Sequence, residues 1–441
     1  AAARFWRWRV QTRPQSAQQD LAELLEARFH HRAAGDVDAA LAVTDGVCER
    51  LHTWGAWGWE EQLCHETLSW AADGSRAQAV YLHQLGIIAQ QRGEYERALE
   101  HYHRSLTINE DLGDRAGMAI GYHQLGRIAE LRGEYERALE HYHRSLAIKE
   151  ELGNRAGMAS SYHQLGMIAQ QRGEYEQALE HYHRSLAIEE ELGNRAGMAG
   201  SYHQLGRIAE LRGEYEQALE HYHRSLTINE DLGNRAGMAI GYHQLGRIAE
   251  LRGEYEQALE HYHRSLTINE DLGNRAGMAS SYHQLGRIAQ QRGEYEQALE
   301  HYHRSLTINE DTGNRAGMAS SYHQLGRIAE LRGEYEQALE HYHRSLTINE
   351  DTGNRAGMAS SYSQIGVLYT QTGRAAEAVA LTVRSLLIRA ELQTPEIRTD
   401  LHWLAQQREA LGEAEFQRLL AEHLIPEVID AIISRLDQFD E

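Results

Sequence analysis

Apolar and polar residues alternate along most of the chain with the period of an α-helix. One run of apolar and small residues follows the i, i+4, i+7, i+8, i+11 spacing of a single helical face: Met158, Tyr162, Leu165, Gly166 and Ala169. A second run has the same period: Tyr175, Ala178, Leu179, Tyr182 and Leu186. Gly173 and Gly193 follow these runs, where glycine suits a helix end, and Asn194 suits an N-cap. The pattern predicts two amphipathic helices joined by a tight turn.

The two-helix pattern is repeated almost verbatim every 40 residues. Eight units are marked by a glycine after Leu, or after Ile in the last unit: Gly86, Gly126, Gly166, Gly206, Gly246, Gly286, Gly326 and Gly366. Because a single unit cannot bury both of its apolar faces, neighbouring units must stack and share a continuous core. The sequence therefore predicts an all-α fold, a solenoid of stacked antiparallel helix pairs.

The repeated unit resembles the tetratricopeptide repeat. The family's aromatic residue, Leu-Gly pair and Ala-x3-aromatic motif correspond to Tyr162, Leu165, Gly166, Ala178 and Tyr182. The resemblance covers residues 77 to about 392 and implies a right-handed superhelix. The period of 40 exceeds the usual period of about 34 residues, and the usual proline after the second helix is absent. Forty-residue units are similar to those of Pins/LGN-type spindle-orientation adaptors and of the sensor regions of bacterial STAND ATPases.

The two ends of the array are predicted to be caps. We expect an N-terminal extension at 1–19, a degenerate cap at 20–76, eight repeat units at 77–392 and a C-terminal helical cap at 393–441. A tryptophan cluster precedes the first unit and is predicted to be buried in end packing: Trp54, Trp57, Trp59 and Trp70. The chain begins without an initiator Met, so we expect a processed chain or a fragment of a longer protein.

Composition narrows the classes of partner. The formal net charge of -21 disfavours nucleic acid and anionic membrane surfaces, both of which attract basic stripes. No apolar run approaches the ~20 residues of a membrane span, and there is no signal-peptide pattern. Cys48 and Cys64 are the only cysteines, which favours a reducing, cytoplasmic setting over a secreted disulfide scaffold.

No catalytic residue, cofactor site or metal site is predicted. The most suggestive residues are histidines, because His163, His181 and His183 recur in seven units. His181 and His183 are two positions apart, so they point to different sides of a helix, and both are expected to face solvent. A metal site on a helix would need i, i+4 spacing. The histidines predict that acidification below about pH 6.5 weakens the solenoid. They are equally consistent with tolerated surface residues.

The resemblance implies that the first helix of each unit lines a concave groove that binds a ligand. Carried over residue by residue, the implied groove positions are His123, Arg127, Glu130, His163, Met167, Gln170, His203, Arg207, Glu210, His243, Arg247, Glu250, His283, Arg287, Gln290, His323, Arg327 and Glu330. Many of the few differences between units fall at these positions. This variation indicates either a diversified recognition surface or drift at unconstrained exposed sites. The arginines could clamp the carboxylates of an acidic peptide, or could pair with the glutamates three residues further along.

These features predict a non-catalytic module that binds a protein or peptide. The first hypothesis is the ligand-sensing C-terminal region of a larger bacterial STAND-type signalling protein. The alternatives are a free-standing scaffold or adaptor, and an appendage of an enzyme whose catalytic domain lies elsewhere. Near-identical units also allow self-association if a cap fails.

Overall fold

The structure, a computed structural model, describes residues 2–12 and 16–437. Every regular element in these two ranges is a helix. The chain divides into two compact units, Ala1–Glu214 and Tyr215–Glu441. The predicted all-α architecture of consecutively packed helix pairs is confirmed.

Four helices precede the repeats. They are α1 (Ala2–Thr12), α2 (Ala17–Ala33), α3 (Val37–Thr53) and α4 (Trp57–Leu68). Gly35 at φ +73° separates α2 from α3, and Gly55 at φ +67° separates α3 from α4. A buried core joins these helices to the first repeat through Tyr81 and Leu85.

The eight repeat units are sixteen helices in strict alternation. The first helices of the units are α5 (Arg76–Gln91), α7 (Arg115–Leu131), α9 (Arg155–Gln171), α11 (Arg195–Leu211), α13 (Arg235–Leu251), α15 (Arg275–Gln291), α17 (Arg315–Leu331) and α19 (Arg355–Gln371). The second helices are α6 (Tyr95–Asp111), α8 (Tyr135–Glu151), α10 (Tyr175–Leu192), α12 (Tyr215–Asp231), α14 (Tyr255–Leu272), α16 (Tyr295–Thr312), α18 (Tyr335–Asp351) and α20 (Ala375–Leu392).

A helix pair such as α9 and α10 closes around the tyrosine of its second helix. Tyr182 is fully buried, and its ring lies where a side chain on Gly166 would be, because a Cβ at Gly166 would approach Tyr182 Cε1 to 2.7 Å. Ser185 Oγ donates a hydrogen bond of 3.0 Å to the Ala159 carbonyl, which ties α10 to α9. The glycine of the Leu-Gly motif therefore allows the two helices of a pair to approach closely.

Turns and caps follow the predicted chemistry. Gly173 adopts φ +76° between α9 and α10, and Gly193 adopts φ +63° after α10. The Asn194 side chain accepts a hydrogen bond of 3.2 Å from the Gly197 amide and caps α11. Each second helix then packs on the first helix of the following pair, as α8 does on α9.

The last helix pair is covered by three further helices: α21 (Ile397–Leu411), α22 (Glu413–Ala421) and α23 (Pro426–Asp437). Phe416 is fully buried in a core that includes Val379 and Val383 of α20. Asp400 on α21 is buried and lies 2.8 Å from Arg389 Nη1, so this contact is an ion pair removed from water. None of the helices in the described ranges has the length and apolar character to cross a bilayer.

Candidate ligand-binding face of the repeat array

Three positions on each of the first helices α7, α9, α11, α13, α15 and α17 make up the predicted site, and we call them together the first-helix face. They are the His, Arg/Met and Glu/Gln positions, represented by His123, Arg127 and Glu130 on α7. His123 and Glu130 are half-buried, whereas Arg127 is exposed. The face therefore has a half-buried base of His and Glu/Gln, from which Arg127, Arg207 and Arg327 extend to solvent, whereas Met167 is half-buried.

The Glu/Gln position is held by the tyrosine of the second helix. The Tyr142 hydroxyl donates a hydrogen bond of 2.9 Å to Glu130 Oε2, and the Tyr182 hydroxyl donates one of 3.0 Å to Gln170 Oε1. The same bond is made to Gln90, Glu250, Gln290 and Glu330. A buried hydroxyl needs an acceptor, which both Glu and Gln supply. The variation at this position is therefore restricted to two side chains with the same acceptor oxygen.

The His position packs on the same tyrosine. The His123 and Tyr142 ring centroids are 5.3 Å apart. Burial lowers the pKa of His123 to about 4, because the charged imidazolium would lose its hydration. The pKa values of His203, His243, His283 and His323 are also lowered to about 4, mainly by burial. These histidines are neutral at pH 7.

The arginines of the face differ in their partners. Arg287 Nη2 lies 3.0 Å from Oε1 of Glu250, which belongs to the preceding repeat, and Arg287 Nη1 also donates to Gln284 Oε1 at 3.2 Å. Arg127 and Arg207 make no hydrogen bond or ion pair within the described residues. The pairing that occurs is thus between repeats, and no ion pair forms between Arg127 and Glu130 on the same helix.

A family model described as tetratricopeptide repeat matches residues 77–151, 157–231, 237–311 and 317–389. The chain belongs to the tetratricopeptide repeat family. A comparison with curated protein sequences finds no match.

Several solved structures are similar in fold to this chain. One is a STAND protein with a tetratricopeptide repeat sensor, PH0952 from Pyrococcus horikoshii, at 16% identity and a TM-score of 0.57. The match covers 85% of this chain and 56% of that one, so this chain spans little more than half of its length. The apo form of RapI matches at 16% identity and TM-score 0.52, with 63% of this chain and 99% of that chain covered.

A Rap protein complexed with competence and sporulation factor also matches the tetratricopeptide array. It shares 15% identity at TM-score 0.53, and the match covers 80% of this chain and 98% of that chain. Because the sequence identities are only 15–16%, these three similarities show the fold alone.

The second helices of the tetratricopeptide array carry a second set of histidines. His183 is exposed, as expected, but the expectation that His181 faces solvent is wrong. The His181 ring stacks on Tyr162 of the first helix with centroids 6.1 Å apart, and burial lowers the pKa of His181. His181 therefore packs between the two helices of its pair. The sequence alone did not indicate this contact, because histidine is a polar residue type. No group of three potential metal ligands occurs within the described ranges.

Two apolar hollows lie at the N-terminal side of the tetratricopeptide array. One of about 540 Å³ is lined by Trp54, Trp57 and Trp59. The predicted burial of the tryptophans is wrong for Trp54 and Trp59, which are 47% and 65% exposed. A smaller one of about 180 Å³ lies between Val80 and His83 of α5 and Ile120 of α7. Trp70 is half-buried beneath the guanidinium groups of Arg28 and Arg32.

Proposed function

We propose that this tetratricopeptide chain is a protein- or peptide-binding module whose ligand lies along the first-helix face. The observation that carries the proposal is the contrast within that face. Tyr142 and Tyr182 fix the Glu/Gln positions at its base, while Arg127 and Arg207 reach solvent without partners. A rigid base with accessible charged and apolar groups is suited to recognition, because few side chains must be ordered on binding.

The proposal assigns no catalytic role, since tetratricopeptide repeats are typically interaction scaffolds. We further propose that the chain is the ligand-sensing part of a larger bacterial STAND-type signalling protein. The likeness to the sensor-bearing protein from Pyrococcus horikoshii supports this at the level of fold. A free-standing scaffold or adaptor is the alternative, and a non-catalytic appendage of an enzyme is the third candidate. An upstream nucleotide-binding domain in the full reading frame would favour the STAND-type sensor over the other two candidates.

The binding face can be tested with matched bulky substitutions. Ser160 and Ser280 are exposed on first helices, whereas His143 and His263 are exposed on second helices. Peptides would be selected from a random phage-displayed library on the immobilised chain, and their affinities measured by fluorescence anisotropy. We expect the Ser160→Trp/Ser280→Trp variant to lose at least tenfold in affinity and the His143→Trp/His263→Trp variant to bind normally. Failure to select any peptide, or equal loss in both variants, would contradict the proposed function.

A further inference from the structure

The only two cysteines of the chain face each other in the helices that precede the repeats. Cys48 lies on α3 and Cys64 on α4, and their Sγ atoms are 4.0 Å apart. Both side chains are buried, and both are free thiols. Two sulfur atoms that are already in contact need little movement to form a bond. Any thiol chemistry of this protein therefore belongs to this pair.

The two thiols differ in access. Cys48 lines a hollow of about 370 Å³ between α3 and α5, together with His52 of α3 and Gln84 of α5. Cys64 is fully buried and is not among the residues that line this hollow. Contact with the Cys48 thiol and burial raise the pKa of Cys64, so Cys64 stays protonated at pH 7. A reagent in the hollow therefore meets Cys48, and Cys64 lies behind it.

A histidine lies beside the accessible thiol. Cys48 and His52 are four positions apart on α3, so they lie on the same face of the helix. Glu60 of α4 is fully buried, and its Oε2 lies 3.2 Å from His52 Nδ1 while its Oε1 accepts a hydrogen bond from Gln84 Nε2. Because a carboxylate only accepts hydrogen bonds, it favours the proton on Nδ1 and leaves Nε2 as the basic nitrogen. His52 therefore supplies a proton acceptor in the hollow that Cys48 lines.

The charge of the hollow favours one class of oxidant. Asp45 and Glu49 also line it, and both side chains are exposed. The Asp45 carboxylate accepts a hydrogen bond of 2.7 Å from the Tyr81 hydroxyl. These carboxylates repel anionic oxidants such as glutathione disulfide, and the whole chain carries a net charge of -21. Small neutral peroxides are not repelled.

We propose that Cys48 is a peroxide-reactive cysteine and that Cys64 converts its oxidised form into a reversible disulfide between α3 and α4. His52 Nε2 takes the Cys48 proton, and the thiolate sulfur attacks one peroxide oxygen, which breaks the O–O bond. The leaving oxygen takes the proton from His52, so water or an alcohol departs and Cys48 becomes a sulfenic acid. The Cys64 sulfur then displaces hydroxide from Cys48, and this hydroxide leaves as water with the Cys64 proton. The two thiols lose two electrons in total, and one peroxide is reduced.

The test uses the full chain, reduced, freed of reductant and treated with one equivalent of hydrogen peroxide. We expect the mass of the chain to fall by about 2 Da, because two hydrogen atoms are lost, and dithiothreitol to restore it. In the Cys64→Ser variant the sulfenic acid should persist at Cys48 and be trapped by dimedone. The Cys48→Ser variant should react at least tenfold more slowly than the unaltered chain. Equal oxidation of the two variants, or no disulfide in the unaltered chain, would overturn the inference.

The part played by His52 has a test of its own. His52→Ala should slow disulfide formation at least tenfold, and added imidazole should restore part of the rate by replacing the lost base. Glu49→Gln is the matched control, because it alters another side chain that lines the same hollow, and it should not slow the reaction. A His52→Ala variant that reacts at the normal rate, or that imidazole does not rescue, would contradict the assignment of the base.

The disulfide would also cross-link two helices. Cys48 and Cys64 are 16 positions apart, and the turn between α3 and α4 lies between them. Because the cross-link restricts the unfolded chain, we expect oxidation to raise the thermal midpoint by about 2–5 °C and dithiothreitol to reverse the shift. The Cys48→Ser variant should show no such shift, and a lowered midpoint of the oxidised unaltered chain would contradict a disulfide within this packing. Circular dichroism of each variant before oxidation separates altered reactivity from unfolding.

Discussion

At the scale of single residues, the repeat is built around contacts between a glycine and a ring. Gly166 leaves room for Tyr182, as Gly126 does for Tyr142 and Gly246 does for Tyr262. Gly200 also lies within a first helix, yet a Cβ built there meets nothing within 4 Å. Close packing therefore requires a glycine at position 166 but not at position 200.

This contrast gives a pair of opposite stability predictions. Gly166→Ala should lower the free energy of unfolding by about 1–3 kcal/mol, because the new methyl group overpacks the Tyr182 ring. Gly200→Ala should raise it by about 0.5–1 kcal/mol, because alanine costs less backbone entropy in a helix. Urea unfolding followed by circular dichroism measures both. A stabilising Gly166→Ala would contradict the close approach of α9 and α10.

The buried histidines predict sensitivity to acid. The pKa of His123 is about 4 in the folded chain and about 6.5 when unfolded, so the unfolded state binds more protons between these values. The stability supplied by neutral His123 is complete above pH 6.5 and is lost as the pH falls toward 4. At pH 5.5 the loss is about 1 kcal/mol for each such histidine.

Urea midpoints at pH 7.5 and 5.5 test this expectation. The His123→Gln variant should lose less stability between the two pH values than the unaltered chain. The control is His183→Gln, at an exposed position, which should behave like the unaltered chain. An identical midpoint at both pH values for the unaltered chain would refute the role of the buried histidines.

At the scale of elements, the junction between a second helix and the next first helix contains one varied buried position. Asparagine occupies it in five units, and Lys149 and Glu189 occupy it in two others; the asparagines are Asn109, Asn229, Asn269, Asn309 and Asn349. Lys149 Nζ donates a hydrogen bond of 2.8 Å to Ser161, and burial lowers the pKa of Lys149 to about 8. Glu189 accepts one of 2.8 Å from Ser201, and burial raises its pKa. These two junctions bury a charge where the others bury an amide.

Replacing the buried charge should stabilise the junction. Lys149→Asn is expected to raise the free energy of unfolding at pH 7 by about 1–2 kcal/mol, because an isolated buried ammonium is costly. The folded pKa near 8 lies below the usual value of about 10.5, so the unaltered chain should gain stability between pH 8 and 10.5. Urea unfolding at pH 7 and 9.5 should find that gain only in the unaltered chain. The reverse change, Asn269→Lys, should destabilise.

At the scale of the whole molecule, stacking depends on covered ends. Val379, Val383 and Leu386 of α20 are buried against residues of α21 and α22. Without those helices the last pair would present an apolar face like the ones that join neighbouring repeats. Self-association then becomes favourable, because the exposed face matches surfaces that other copies carry.

Removal of the residues after Leu392 tests this dependence. We expect the shortened chain to form dimers or larger species and the full chain to have a smaller molar mass at the same concentration. Size-exclusion chromatography with light scattering measures both masses. Phe416→Asp, which places a charge in the same core, should act in the same direction. A shortened chain that stays monomeric and melts like the full chain would contradict the capping role of α21–α23.

The sequence by itself determined the helix pairs and their order. Spacing of apolar residues, Gly173 and Gly193 at the turns, and Asn194 at the cap act within a few residues, so they can be read without the fold. The repetition of eight similar units then required stacking, since one pair cannot bury its own apolar faces.

Only the tertiary structure decided which of the individual polar groups are buried and which charges are paired. Whether His181 is exposed depends on Tyr162 of the facing helix, and whether Arg287 is neutralised depends on Glu250 of the preceding repeat. The partners are far apart along the sequence, so no local sequence pattern indicates which side chains are in contact. Burial and charge pairing are properties of neighbours in space, and they distinguish Arg207 from Arg287 although the two helices are nearly identical in sequence.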